Sequence, residues 1–90
     1  MTSRTSPEVH SILCAMVKQI RSRCAASASY STHDTDYFIV DHWNSIHACA
    51  TQMYQDYAKS KSLHKLQTND SSTLYSDYLS DIYQTIPKVN

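Results

Sequence analysis

Apolar side chains recur in alternating steps of four and three residues along the middle of the chain, and this spacing constrains the fold more than any other feature. The repeat consists of Ile39, Trp43, Ile46, Ala50, Met53 and Tyr57. A repeat averaging 3.5 residues keeps one stripe of a helix against a neighbouring helix at a small crossing angle. We therefore predict a continuous helix over about residues 36–60, with Asp34 and Asp36 supplying its cap and first-turn acid.

A strong start signal precedes the first predicted helix. Ser6 is placed as N-cap, Pro7 as the first helical residue, and Glu8 in the first turn, where a negative charge favours the helix dipole. The residues that follow have helical periodicity: Val9, Ile12, Leu13, Met16, Val17, Ile20 and Cys24. The pattern predicts an amphipathic helix over about residues 7–24.

The third predicted helix covers about residues 72–86, because Pro87 disfavours helical geometry at the residue before it. Its apolar side is formed by Leu74, Tyr75, Tyr78, Leu79, Ile82 and Ile86. The sequence therefore predicts an all-α fold, a small three-helix bundle with a long central helix, forming one domain over residues 1–90.

The unequal helix lengths predict an uncovered surface. A central helix of this length is about 36 Å long, whereas its neighbours reach about 25 Å. Leu63 and Leu66, in the following connector, are expected to fold back onto the end of the bundle. A 90-residue chain also buries a modest share of its surface, roughly 60–65%, so a partner can add stability.

Tyrosine and tryptophan define the predicted contact surface. Five of the seven tyrosines fall in the last two predicted helices, and such side chains are enriched at protein interfaces. The predicted partner-binding residues are Trp43, Tyr54, Tyr57, Tyr78 and Tyr83. They predict a non-catalytic protein–protein interaction or assembly module, such as a small subunit, an adaptor or a viral accessory protein, that binds a protein partner or itself. The alternative for the tyrosines is a core edge whose hydroxyls reach water.

The absence of glycine disfavours several classes of enzyme. Phosphate-binding loops, dinucleotide-binding turns and nucleophile elbows use glycine where the backbone approaches a ligand or takes a positive φ. We therefore expect no enzyme activity and no cofactor.

The charge distribution bears on nucleic acid as an alternative partner. Residues 1–33 carry four basic side chains against one acid, and residues 34–90 carry four against seven. Binding to a polyanion needs a concentrated basic surface. A nucleic-acid-binding three-helix domain would use Lys18, Arg21 and Arg23 with the lysines between residues 59 and 65, and it remains the first alternative.

A metal- or thiol-dependent enzyme is the second alternative. His10 and Cys14 have the i, i+4 spacing of helical metal ligands, and His42 and Cys49 lie on one flank of the central helix. Zinc needs about four converging ligands, which one straight helix cannot supply from these positions. We therefore expect no metal site.

Three features bear on location. The longest apolar run, residues 12–17, is too short for a membrane span. Three cysteines without a paired C-x-x-C motif favour reduced thiols in an intracellular compartment, cytoplasmic or nuclear. Residues 1–31 are serine- and arginine-rich and resemble a mitochondrial presequence, although a core helix is the favoured interpretation.

Overall fold

The computed structural model describes residues 6–27, 30–64 and 71–86, and within these ranges the fold is all-α. Four helices follow one another: α1 (Pro7–Ala25), α2 (Thr32–Asp41), α3 (Trp43–Lys59) and α4 (Ser71–Tyr83). Helices α1, α3 and α4 contact one another in pairs, and the short α2 packs on α1 and α3. The all-α class is confirmed, and the bundle agrees broadly with the predicted one.

One apolar core lies between the helices. Its largest side chains with essentially no exposed surface are Met16, Ile20, Cys24, Ile46, Met53 and Leu79. They come from α1, α3 and α4. Burying one such large aliphatic side chain contributes about 1.5–3 kcal/mol to folding, so the three long helices supply most of the stability.

Helix α1 begins as predicted. The Ser6 hydroxyl accepts a hydrogen bond from the backbone N–H of Val9 at 3.2 Å, and Pro7 occupies the first turn. The helix ends at Ala25, one residue beyond the predicted end. All of its predicted apolar residues are buried except Val17, which is half-buried against the core.

The central segment differs from the prediction, because two helices replace the single helix over residues 36–60. The division lies at His42, whose φ of −105° and ψ of 12° fall in the bridge region between helical and extended backbone. The His42 side chain bonds back to its own helix: Nδ1 donates to the carbonyl oxygen of Phe38 at 2.9 Å. The two rings also stack, with centroids 4.2 Å apart. This side-chain bond adds to the backbone bond from the N–H of His42 to the same carbonyl at 3.0 Å.

Helix α2 begins four residues before the predicted start, at a cap that the sequence analysis assigned to other residues. Ser31 is the N-cap, and its hydroxyl accepts from the N–H of Asp34 at 3.2 Å. The Asp34 carboxylate accepts in return from the N–H of Ser31 at 2.9 Å. This reciprocal pair is a capping box, so Asp34 lies in the first turn instead of at the cap.

Helix α3 ends in a Schellman motif built without glycine. The N–H of Ser62 donates to the carbonyl of Tyr57 at 2.9 Å, and the N–H of Lys61 donates to the carbonyl of Ala58 at 3.2 Å. Lys61 has a φ of 57°, in the left-handed region. A side chain with a Cβ pays about 1–2 kcal/mol there, a cost that glycine avoids.

Helix α4 ends three residues before the predicted end. The Thr85 hydroxyl donates to the carbonyl of Ile82 at 2.7 Å, and the N–H of Ile86 donates to the carbonyl of Tyr83 at 3.0 Å. These i to i+3 bonds form a turn that ends α4 ahead of Pro87, the residue whose position set the predicted end. Ile86 is nevertheless buried, so its apolar character was a correct guide to packing.

Leu63 packs onto the end of the bundle, as predicted. It is half-buried beside Tyr54 and Tyr75, in a cleft that also reaches Pro7 at the start of α1. The connector therefore covers this end of the bundle in part. Leu66 lies outside the described residues.

The strained end of α3 predicts a stabilising substitution. Lys61→Gly removes the Cβ penalty at a position that already has a left-handed φ, although glycine also gives the unfolded chain more freedom. We expect a net gain of about 0.5–1 kcal/mol in the free energy of unfolding, measured by urea denaturation.

Lys59→Gly is the matched control, because it makes the same replacement two residues earlier, inside the last helical turn. Glycine there should lower the free energy of unfolding by about 0.5–1 kcal/mol. Loss of stability in both variants would show that residue 61 does not have a left-handed backbone.

Candidate interaction surface

Three large apolar side chains remain exposed beside the junction of α2 and α3. The exposed fraction is 67% for Tyr37, 70% for Val40 and 43% for Trp43. Tyr37 and Val40 are three residues apart on α2, so they share a face, and Trp43 follows after three more residues as the first residue of α3. We call these three residues the junction patch.

Trp43 was among the predicted partner-binding residues, whereas Tyr37 and Val40 were not. In one continuous helix, Trp43 would lie on the buried stripe between Ile39 and Ile46. The structure buries Ile39 and Ile46 but leaves Trp43 exposed. Trp43, the first residue after the irregular backbone at His42, is therefore not part of the buried stripe. The sequence signal for this patch was the even spacing of residues 37, 40 and 43. This spacing can be interpreted only when the position of the α2–α3 junction is known.

The predicted tyrosines lie away from the junction patch. Tyr54 is eleven residues beyond Trp43 on α3, which corresponds to about 16 Å along the helix axis. Tyr54, Tyr57 and Tyr78 are half-buried and pack against the core. The structure therefore does not bring Trp43 together with these tyrosines.

Tyr83 does not fit the prediction of a contact residue. Only 8% of it is exposed, because α4 turns this side chain into the core. The guanidinium of Arg23 lies 4.8 Å from the centre of its ring, a cation–π contact that links α1 to α4. Burial raises the pKa of the Tyr83 hydroxyl above its ordinary value. Tyr83 is thus a core residue.

Tyr78 joins α4 to α3 through a carboxylate. Its hydroxyl donates to Asp56 at 2.6 Å, and the Gln52 amide donates to the other Asp56 oxygen at 2.8 Å. These two bonds favour the ionised carboxylate and lower the pKa of Asp56. Burial and the bond to Asp56 raise the pKa of Tyr78 to about 12.

The four residues of the alternative metal or thiol site, His10, Cys14, His42 and Cys49, do not form one cluster. His10 and Cys14 are 3.6 Å apart on an exposed face of α1. Cys49 donates through its thiol to the carbonyl of Tyr78 at 3.1 Å, and burial raises the pKa of this thiol. His42 bonds to Phe38 instead. Across residues 6–27, 30–64 and 71–86, no group of three or more His, Cys, Asp or Glu side chains is placed to hold a metal ion.

The basic side chains considered for nucleic acid are also divided. Arg21 forms an ion pair with Asp36 at 2.9 Å, with about half of each side chain exposed. Arg23 lies over the ring of Tyr83. Two of the three basic residues of α1 therefore already have partners within the chain, while Lys18 is exposed.

The acidic residues near the junction patch differ in their surroundings. Both hydrogen bonds from Ser31 reach the same oxygen of Asp34, and they lower the pKa of this carboxyl, so that it is ionised at neutral pH. Asp36 is neutralised in part by Arg21. Asp41 forms no hydrogen bond or ion pair with any residue that the structure describes. The patch is therefore bordered by negative charge.

A scan against protein-family models finds no match, and searches of curated proteins and of solved structures find none either. In the part of the chain that the structure describes, no helix has the length and apolar character needed to cross a membrane.

The contact between Tyr78 and Asp56 predicts a loss of stability in alkaline solution. Because the pKa of Tyr78 is higher in the folded chain than its ordinary value of 10.0, its contribution is complete below pH 10. The contribution is lost as the pH rises from 10 towards about 12, since the unfolded chain releases this proton first. Urea denaturation at a series of pH values should show a shallower alkaline decline for Tyr78→Phe than for the unchanged chain.

Tyr37→Phe is the control, because it removes the hydroxyl of an exposed tyrosine that has no bond to Asp56. Its pH profile should follow that of the unchanged chain. Parallel alkaline declines for Tyr78→Phe and the unchanged chain would show that the Tyr78 hydroxyl does not bind Asp56 in solution.

Proposed function

We propose that this protein is a non-catalytic interaction module that binds another protein through the junction patch. The exposure of Tyr37, Val40 and Trp43 beside the α2–α3 junction carries this proposal. Neighbouring exposed apolar side chains on a small domain are typical of contact surfaces. Tryptophan and tyrosine are also the side chains most often found at the energetic centre of protein interfaces.

The predicted tyrosines have a supporting role in this proposal. The hydroxyl of Tyr78 is engaged by Asp56, and Tyr54 and Tyr57 pack against the core. They stabilise the bundle that presents the patch. The proposed contact surface is therefore the junction patch and not the tyrosines at the far end of α3. Trp43 belongs to both the predicted and the proposed surface.

A partner of different sequence fits the patch better than a second copy. In a two-fold symmetric pair the same patch faces itself, so the Asp41 carboxylates and the Asp34 carboxylates of the two copies would be brought close together. Arg21 pairs with Asp36 at this border and not with Asp34 or Asp41, so it does not offset this repulsion directly. The acidic border instead favours a partner with positive charge.

The three cysteines agree with an intracellular setting for this interaction. All three are free thiols: Cys24 is buried, Cys49 is half-buried and bonded to a carbonyl, and Cys14 is exposed. Free thiols persist in compartments that are kept reducing.

Photo-crosslinking tests the proposed surface. A photoreactive amino acid at Val40 should give an adduct of defined mass in extracts of cells that make the protein, and excess unlabelled protein should compete the adduct away. The Trp43→Ser protein should compete at least about fivefold less well, because loss of a tryptophan at an interface typically costs 1 kcal/mol or more. Circular dichroism should show unchanged helix content in this variant, since Trp43 lies outside the core.

The matched control places the same photoreactive residue at Gln55, which is exposed on α3 away from the patch. Equal adduct yields at the two positions, or no adduct at Val40, would contradict the proposal. Sedimentation across a range of concentrations distinguishes self-association from binding to a different protein. Self-association that Trp43→Ser abolishes would show that the partner is a second copy of this chain.

A further inference from the structure

A groove lined by aromatic rings and carboxylates lies beside the junction patch and shares Tyr37 with it. Its volume is about 500 Å³, and it is open to solvent. The lining residues are Tyr30, Asp34, Tyr37, Phe38, Asp41, His42 and Thr85. We call this depression the junction groove.

The aromatic side chains of the groove support one another. Tyr30 meets Phe38 edge-on, with ring centres 6.0 Å apart and planes at 69°. His42 stacks on Phe38 with its plane at 26°. Phe38 is buried, which fixes the floor, while Tyr37 is largely exposed at the rim. The most exposed ring of the lining is therefore that of Tyr37, while the other three aromatic rings pack on one another.

The charged side chains of the groove are both acidic. Asp34 is ionised and held by Ser31 through a single oxygen. Asp41 has no partner among the described residues. Arg21, the cation of neighbouring α1, is paired with Asp36, and neither of these two residues lines the groove. The lining of the groove therefore carries two carboxylates and no lysine or arginine.

An organic cation satisfies both features of this lining. A guanidinium can stack on a tyrosine ring and form two parallel hydrogen bonds to a carboxylate. A divalent metal ion is a poorer match, because calcium and magnesium prefer six or more oxygen ligands and the groove supplies two carboxylates. A carboxylate or phosphate ligand would be repelled.

We infer that the junction groove receives an arginine side chain of the protein partner while the adjoining apolar residues of that partner cover Val40 and Trp43. This inference rests on the proposed function and adds the chemistry of the partner. The occupant is a segment that carries an arginine next to large apolar residues. Tyr37 contacts both parts, since it belongs to the patch and to the groove.

Titration of the isolated full chain with a small probe tests the groove without the partner. N-acetyl-arginine amide is added to isotope-labelled protein and followed by NMR, and N-acetyl-citrulline amide is the uncharged probe of similar shape. The arginine probe should shift the amide signals of Tyr30, Asp34, Tyr37, Phe38 and Asp41. The citrulline probe should bind about three- to fivefold more weakly, the range expected for an exposed ion pair.

Two variants in α2 make the test specific. Asp41→Asn removes the unpartnered carboxylate and should weaken arginine binding about three- to fivefold. Asp36→Asn removes the same charge from the same helix but outside the groove, so binding should change less than twofold. Tyr37→Leu should weaken binding while Tyr37→Phe retains it, because the ring face is what the cation contacts.

Three results would overturn the inference: equal binding of the two probes, equal effects of Asp41→Asn and Asp36→Asn, or signal changes confined to residues outside the groove. These results are independent of the crosslinking at Val40. Loss of arginine binding with crosslinking retained would contradict the inference about the groove and leave the proposed function standing. Loss of crosslinking with arginine binding retained removes the proposed partner and leaves the groove as a site for free cations.

Discussion

The contact between His42 and Phe38 is the interaction on which the rest of the surface depends. The Phe38 carbonyl accepts from Nδ1 of His42, so this nitrogen carries the proton, and the two rings stack at 4.2 Å. The same carbonyl also accepts from the backbone N–H of His42 at 3.0 Å. The C-cap residue of α2 therefore bonds to the last turn of the helix through both its backbone and its side chain, and α3 begins at Trp43 without a side-chain cap hydrogen bond.

This local contact decides which residues face inward. Phe38 and Ile39 bury against the bundle from α2, and Ile46 does so from α3. Both helices thus contribute buried side chains to the core, while Trp43 lies with Tyr37 and Val40 outside it. The patch and the groove are thus consequences of the same junction: one lies on the outer face of α2, and the other lies where Phe38 and His42 meet Tyr30.

Much of the architecture was predictable, since helical periodicity and end signals are local properties. Ser6 and Pro7 marked the start of α1, and the apolar spacing identified nearly all of its buried face. The ends governed by side-chain hydrogen bonds were harder to predict. The Ser31 capping box and the Thr85 turn each moved a helix end by three or four residues, because short polar side chains compete with the helix for backbone groups.

The candidate surface was less predictable than the fold, because it depends on a departure from regularity. The spacing of four and three residues continues through Trp43, so periodicity alone indicates one helix across His42. The hydrogen bond from the His42 ring to the carbonyl four residues earlier does not alter that spacing, so the spacing could not reveal it. The tyrosines were recognised as amphipathic side chains, but whether each faces the core or solvent depends on how its own helix packs against the others. Tyr83 and Tyr37 illustrate the two outcomes.

The backbone of His42 in solution is the most direct test of this account. NMR of the full chain should give a larger coupling between the amide and Hα protons at His42 than at Val40 or Ile46, because its φ of −105° departs from the helical value near −63°. The Trp43 indole should show no nuclear Overhauser contacts to the core side chains of α1 and α4. Uniform helical couplings across residues 36–59, together with indole contacts to that core, would contradict the account and restore the single central helix.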